Sequence, residues 1–304
     1  MLEAAISVQG LRKSYGENEA VAGIDFEVAV GEVFGFLGPN GAGKTTTIEI
    51  LEGYRERSDG EVSVLGVDPA APTRAWRERV GLVLQECELE PLITVREAVS
   101  LFARFYSRPR DVEETIDLVG LGDKRDERIG SLSGGQKRRA DVALGIVGDP
   151  DLIFLDEPTT GFDPSARREA WNMIEGLKAL GKTVFLTTHY MDEAQHLADR
   201  VAILRGGRIV AQGSTGEIAE AIGRSTVIGF ALDGALSLED VRSALSGTVS
   251  AAGDQVEVQS QDPQRDLYRL LALAEERGAQ LRDLEVRRPN LEDVFLELTR
   301  EPAS

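Results

Sequence analysis

Cysteine is almost absent from this sequence of 304 residues, which contains only Cys87. A single thiol cannot close an internal disulfide, a usage that fits a reducing compartment. Histidine is nearly as scarce: His189 and His196 are the only two. Lysine occurs six times against 28 arginines, a bias that genome composition alone can produce. No run of about 18 apolar residues exists, so nothing reads as a membrane span. The N-terminus Met1-Leu2-Glu3-Ala4-Ala5 lacks a basic stretch leading into an apolar one, so no secretory signal is read there. Positive charge is also in deficit, with 34 basic side chains against 52 acidic ones and a formal net charge of −18. That balance opposes non-specific nucleic-acid binding.

What is present is ordinary for a globular protein with a full core: 42% hydrophobic and 28% charged residues. The length suggests two domains. Up to about residue 215, short apolar runs alternate with helical patterns, the mark of an α/β domain with a largely parallel sheet. Residues 33–37, 80–84, 152–155 and 183–186 read as buried strands. Residues 44–53 read as a helix, and 94–106 and 111–119 as helices of an inserted subdomain covering about 86–149. The texture changes near residue 223. A strand at 226–231, a helix at 238–245, short strands near 248 and 255–259, a helix at 263–277 and a strand at 281–286 make the ferredoxin-like order, an α+β arrangement. A last amphipathic helix is expected at 291–299, with Leu291, Val294, Phe295 and Leu298 on one stripe. The expected domains are 1–222 and 223–304. The second carries an acidic excess and no His, Cys or Lys, so its default reading is a regulatory or assembly module.

The chemistry concentrates in the first domain. Gly38-Pro39-Asn40-Gly41-Ala42-Gly43-Lys44-Thr45-Thr46 fits the phosphate-loop pattern G-x-x-x-x-G-K-[ST]. Its glycines let backbone N–H groups of Asn40, Gly41, Ala42 and Gly43 close around anionic oxygens, and the helix that follows adds its dipole. Lys44 reaches the β- and γ-phosphates, and Thr45 offers its hydroxyl to Mg²⁺. Asp156-Glu157 ends a four-residue apolar strand. A carboxylate there suits Mg²⁺ through water, a role given to Asp156. Glu157 is then the general base for the attacking water.

Leu132-Ser133-Gly134-Gly135-Gln136 begins 88 residues after Lys44. A serine hydroxyl and free N–H groups at a helix start repeat the physics of the phosphate loop. The two motifs together resemble the nucleotide-binding subunit of an ABC transporter, a P-loop NTPase with an inserted helical subdomain. The C-terminal run Pro289-Asn290-Leu291-Glu292-Asp293-Val294-Phe295 narrows this to the drug, lipid and polysaccharide exporter subclass, which includes antibiotic self-resistance ATPases of the daunorubicin type.

That resemblance implies several further roles. Thr46 contacts the α-phosphate. Gln85 touches Mg²⁺ and the attacking water, His189 contacts the γ-phosphate, and Tyr15 stacks on adenine, although a tyrosine at a strand end also suits simple packing. Ser133, Gly134, Gly135 and Gln136 complete the ATP site of a second copy in a head-to-tail homodimer, and Asp163 lies in the loop crossing that junction. The implied ligands are ATP and Mg²⁺. The implied partner is a permease on a separate chain, met by residues 86–106, with the subunit cytoplasmic and peripheral on the inner face of the membrane. No nucleic acid is expected. The alternative is a soluble ATPase of the same superfamily acting on ribosomes or DNA. The single cassette, the short spacing between motifs and the acidic balance weigh against it.

Overall fold

The computed structural model describes residues 4–83, 89–221, 226–287 and Leu291. They belong to two compact units, Met1–Ser214 and Thr215–Ser304. The division falls a few residues before the expected boundary, and the helix Thr215–Ala221 goes with the second unit.

In the first unit, β1 (Ala4–Tyr15) and β2 (Asn18–Ala29) form a long hairpin. β3 (Val33–Leu37) is buried at every residue and runs into the phosphate loop, from which α1 (Lys44–Leu51) emerges. β4 (Asp59–Val64) returns to pair with β1, giving an antiparallel sheet in the order β2-β1-β4. The pattern of apolar runs had indicated only the parallel sheet. After the short α2 (Arg74–Arg77) come β5 (Val80–Val83) and three helices, α3 (Val95–Ala103), α4 (Val112–Leu118) and α5 (Gly134–Ile146). The chain then alternates through β6 (Leu152–Asp156), α6 (Pro164–Ala179), β7 (Thr183–Thr188) and α7 (Met191–Leu197), and closes with β8 (Arg200–Arg205) and β9 (Arg208–Gly213).

These strands form a second sheet in the order β5-β6-β7-β3-β8-β9, parallel except for the β8–β9 hairpin. Strands buried on both faces have no solvent side, which is why they read as unbroken apolar runs. Phe34 and Phe36 of β3, Phe154 of β6 and Phe185 of β7 cover one face. Phe26 of β2 packs on three of them, with ring centroids 5.4–6.1 Å apart, and so fixes the antiparallel sheet to the parallel one. On the other face Val33, Val184 and Leu186 pack with Val142, Ile146 and Ile174 from α5 and α6.

The helices have chemical starting points. Thr94 and Glu97 form a capping box at the head of α3, and Asp111 caps α4. Each satisfies an N–H group that the helix cannot satisfy itself.

The second unit holds α8 (Thr215–Ala221), β10 (Thr226–Ala231), α9 (Leu238–Ala244), β11 (Thr248–Ala252), β12 (Gln255–Ser260), α10 (Pro263–Arg277) and β13 (Arg282–Arg287). Its strands lie in the order β11-β12-β10-β13, every neighbouring pair antiparallel. β12 thus separates β10 from β11, the split arrangement that the strand-helix-strand-strand-helix-strand pattern requires. Ile228, Phe230, Val241, Val256, Val258 and Leu270 form its core. The expected last helix lies outside the described residues apart from Leu291, which is buried.

Candidate functional site

The parallel register decides where the chemistry gathers. Leu37 lies beside Thr188 and Asp156 beside Thr187. The loop after β3, the acids at the end of β6 and the histidine after β7 therefore share one sheet edge, where open α/β sheets place their ligands.

Two glycines of the phosphate loop have no room for a side chain. A Cβ on Gly38 would sit 2.7 Å from the Leu204 carbonyl oxygen, and one on Gly43 2.5 Å from that of Ala20, at a φ of +106°. Only glycine combines that approach with that backbone angle. Asn40, Gly41 and Thr45 are exposed at the mouth of the loop, whereas Lys44 is buried. Its Nζ donates to the carbonyl oxygens of Gly38 (2.7 Å) and Pro39 (3.3 Å) and lies 3.6 Å from Glu157 Oε1. Burial pulls this ammonium's pKa down, opposed by Glu157. Two neutral carbonyls are weaker partners for it than phosphate oxygens, because these carry the opposite charge and add Coulombic attraction to the hydrogen bond.

Asp156 is buried at the end of β6. Thr187 donates its hydroxyl proton to Asp156 Oδ1, and Arg138 Nη2 donates to the Asp156 carbonyl at 2.8 Å. Burial raises the Asp156 pKa, and the adjacent Glu157 raises it further. Glu157 has a left-handed backbone, φ +45°, uncommon for a residue with a side chain. Its amide, held by Thr187 (3.1 Å), makes that turn possible. The turn brings Glu157 Oε1 within 3.3 Å of His189 Nδ1, while Oε2 accepts from the Thr160 hydroxyl at 3.1 Å. His189 Nδ1 is buried without a well-aligned hydrogen bond, so its approach to Glu157 is a contact only. Lys44 and His189 thus converge on the Glu157 carboxylate.

Ser133 caps α5. Its Oγ accepts from the Gln136 amide (3.3 Å), and Gln136 Oε1 accepts from the Ser133 amide (2.9 Å), a complete capping box. The serine hydroxyl proton remains free to donate outward. Asp163 caps α6 by accepting from the Ser165 and Ala166 amides, both at 2.9 Å, with Pro164 in the first turn. Ser133 to Gln136 and Thr160 to Asp163 line the same cavity of about 820 Å³, and none of residues 38–46 lines it. The chain brings residues 133–136, its signature motif, to the loop of residues 160–163 and not to its phosphate loop.

Tyr15 is 42% exposed at the hairpin end, with Lys13 Nζ and the Arg55 guanidinium 5.2 and 5.5 Å from its ring. An open ring flanked by cations suits a stacked base better than a packing role. Gln85, with Glu86 and Cys87, lies outside the described residues. Thr187, Thr160 and Arg138, which hold the acids in place, were not singled out from the sequence. Arg138 is a base in a polar helical stretch, and the helical period places it on the buried side of α5.

A family model described as ABC transporter matches residues 21–160, and one described as the C-terminal domain of ABC transporter domain-containing-like proteins matches residues 226–290. The daunorubicin/doxorubicin resistance ATP-binding protein of Streptomyces peucetius is 38% identical, the alignment covering 98% of this chain and 93% of that one. The Nod factor export ATP-binding protein I of a Rhizobium species, strain N33, is 40% identical over 98% of both chains. Among solved structures, cbiO1 of Clostridium perfringens, described as part of the ABC transporter complex cbiONQ, is 28% identical with a TM-score of 0.64, covering 73% of this chain and 95% of that one. An ATP-binding cassette of an ABC transporter in its ADP conformation matches at 25% identity and a TM-score of 0.63, covering 71% of this chain and 92% of the other.

Proposed function

The chain belongs to the ATP-binding family of ABC transporters, and we propose that it is the ATP-hydrolysing subunit of an exporter for a drug, lipid or polysaccharide. What carries this reading is the convergence of Lys44, Glu157 and His189 at one sheet edge, in a chain whose signature lines a separate cavity.

Backbone N–H groups of residues 40–43 cradle the phosphates, and Lys44 exchanges its two carbonyl partners for phosphate oxygens. Thr46 meets the α-phosphate and Tyr15 the adenine. Thr45 and Asp156 fit Mg²⁺, since both offer hard oxygens and a cation would relieve the raised Asp156 pKa. When bound, that ion neutralises charge on the β- and γ-phosphates, and Gln85 belongs to the same expected set. Glu157 takes the proton of the attacking water, a step worth about 10²–10⁴-fold. Its other neighbours define the rest of the pocket: Lys44 steadies the carboxylate and His189 meets the γ-phosphate.

A second copy, facing the opposite way, supplies Ser133, Gly134, Gly135 and Gln136 to the bound ATP, with Asp163 at the junction. The outward-opening cavity of about 820 Å³ is the space into which that nucleotide fits. Among the described residues no helix is long and apolar enough to cross a membrane. In this reading the permease is a separate chain and the subunit works beneath it on the cytoplasmic face. The permease meets the region of Leu89 to Tyr106. There Leu89 and Tyr106 pack against the core, whereas Leu92, Leu101, Phe102 and Phe105 are exposed, the ring of Phe105 6.0 Å from that of Phe102, which lines a cavity of about 560 Å³. Exposed apolar groups clustered in this way mark interaction sites. The export direction and class of cargo follow the relatives' functions, resistance to a drug in one and export of Nod factor in the other.

The test is co-expression with the permease encoded beside this gene, followed by purification and reconstitution in lipid vesicles. A stable complex with permease-stimulated ATP hydrolysis is expected. Recovery with ribosomes or nucleic acid, and no membrane protein, would overturn the exporter reading.

A further inference from the structure

Behind the Glu157–His189 contact lies a second acid that the reading above does not use. Glu193, the third residue of α7, is 0% exposed. Trp171 Nε1 of α6 donates to its Oε1 at 3.3 Å. Its Oε2 is buried with no hydrogen-bond partner, and so is the hydroxyl oxygen of Thr159. The hydroxyls of Thr159 and Thr188 both face this carboxyl, and the cation named as acting on it is Arg167, which is engaged with Asp192 (3.2 Å) and lies 4.3 Å over the Tyr190 ring. Burial raises the Glu193 pKa.

The positions of these threonines give the arrangement its meaning. Thr159 is two residues beyond Glu157, separated from it by Pro158, and is fully buried. Thr188 immediately precedes His189, and its hydroxyl oxygen already accepts from the Tyr190 amide at 2.9 Å. One buried carboxyl therefore touches both segments that carry the reacting side chains. A buried carboxyl oxygen and a buried hydroxyl, each without a well-aligned partner, are a costly state, and one hydrogen bond between this carboxyl and Thr159 removes both penalties.

We propose that Glu193 is a positioning residue for ATP hydrolysis, a latch that ties the segment after Glu157, through Thr159, to the strand end before His189, through Thr188. In its neutral form the carboxyl O–H donates to Thr159 Oγ1 while the carbonyl oxygen keeps the Trp171 bond and accepts from the Thr188 hydroxyl, so Glu193 and Thr159 leave no buried oxygen without a partner. The latch sets the distance between Glu157 and His189. It touches neither the nucleotide nor the signature. Its effect belongs to the chemical step, because a displacement of about 1 Å at a reacting group can cost about 100-fold in rate. This inference rests on the roles given above to Glu157 and His189.

The test is steady-state ATP hydrolysis by the full chain carrying Glu193→Ala, Glu193→Gln, Thr159→Val, the Glu193→Ala/Thr159→Val double change, and Glu157→Gln as reference. Glu193→Ala and Thr159→Val are expected to lower kcat by about 10- to 100-fold with the KM for ATP nearly unchanged. The double variant should be no worse than the poorer single one, because both break one contact. Glu193→Gln, which keeps an acceptor for Trp171 and a donor for Thr159, should restore most of the rate. A glutamate that merely filled space would lose thermal stability without this pattern, and Thr159→Val, nearly isosteric, guards against an unfolded alanine variant. Wild-type kcat in both single variants, multiplying losses in the double one, or a loss confined to KM would overturn the latch. If Glu157→Gln itself hydrolyses ATP at the normal rate, the parent reading fails instead.

Discussion

Glu52 offers a prediction whose size the structure sets. This residue caps the C-terminal end of α1, is 7% exposed, and lines the cavity of about 560 Å³ beside Trp76 and Phe102. Its pKa is raised to about 8, first by burial and then by the negative charges of Asp156 and Glu49. The negative end of the α1 dipole acts in the same direction. In the unfolded chain the carboxyl titrates near 4.5. Between those two values the folded protein holds a proton that the unfolded chain has released, so stability falls as pH rises through the window and the full cost is reached above pH 8. A shift of that span corresponds to a cost of the order of 5 kcal/mol. Glu52→Gln removes the titration while keeping the shape. Wild type and variant should therefore be nearly equal at pH 4.5, and the variant should gain about 1.4 kcal/mol per pH unit up to pH 8. Urea unfolding at pH 5, 7 and 9 measures this through the midpoint at constant slope. Both tryptophans, Trp76 and Trp171, lie in the first unit, so their fluorescence reports that unit alone. A difference between the two proteins that stays constant with pH, or a variant less stable at pH 9, would refute the argument.

Three further outcomes follow from the same geometry. Lys44→Ala should weaken ATP binding by about 100-fold in calorimetry, since it removes the only ammonium in the loop, and unchanged affinity would contradict the loop's role. Gly43→Ala should lower stability by about 2–3 kcal/mol in thermal melts, because its Cβ meets the Ala20 carbonyl oxygen at 2.5 Å on a backbone at φ +106°. Phe105→Ala, at a side chain 66% exposed, should leave the melting temperature and the ATPase rate of the free subunit unchanged and abolish co-purification with the permease.

Much of this molecule could be read from the order of its residues because its strongest signals are local. The run 33–37 is buried on both faces and opens directly into the phosphate loop, so apolar continuity, glycines and Lys44 all point one way. The second unit was legible for a similar reason: Ser237 and Asp262 cap helices between short alternating strands, and the sheet order follows from that alternation. The antiparallel sheet was hidden because β1 carries register shifts on either side of Leu11, next to Gly10 at φ +56°, and bulges break the period of two. Glu52 and Glu193 were missed for a different reason. A lone acid in a polar helical stretch reads as a solvated face, and only the packing of α6 on α7 and of α1 on the sheet places these two in the interior.

The central claim is that each active site is completed by the signature of a second copy. Size-exclusion chromatography with light scattering on Glu157→Gln, with and without ATP, tests it most directly when a Ser133→Arg change is compared on the same background. The account predicts a monomer without nucleotide, a dimer with ATP, and a monomer again when Ser133→Arg blocks the signature although ATP still binds. A Glu157→Gln protein that binds ATP yet stays monomeric, or an ATP dimer indifferent to Ser133→Arg, would contradict it.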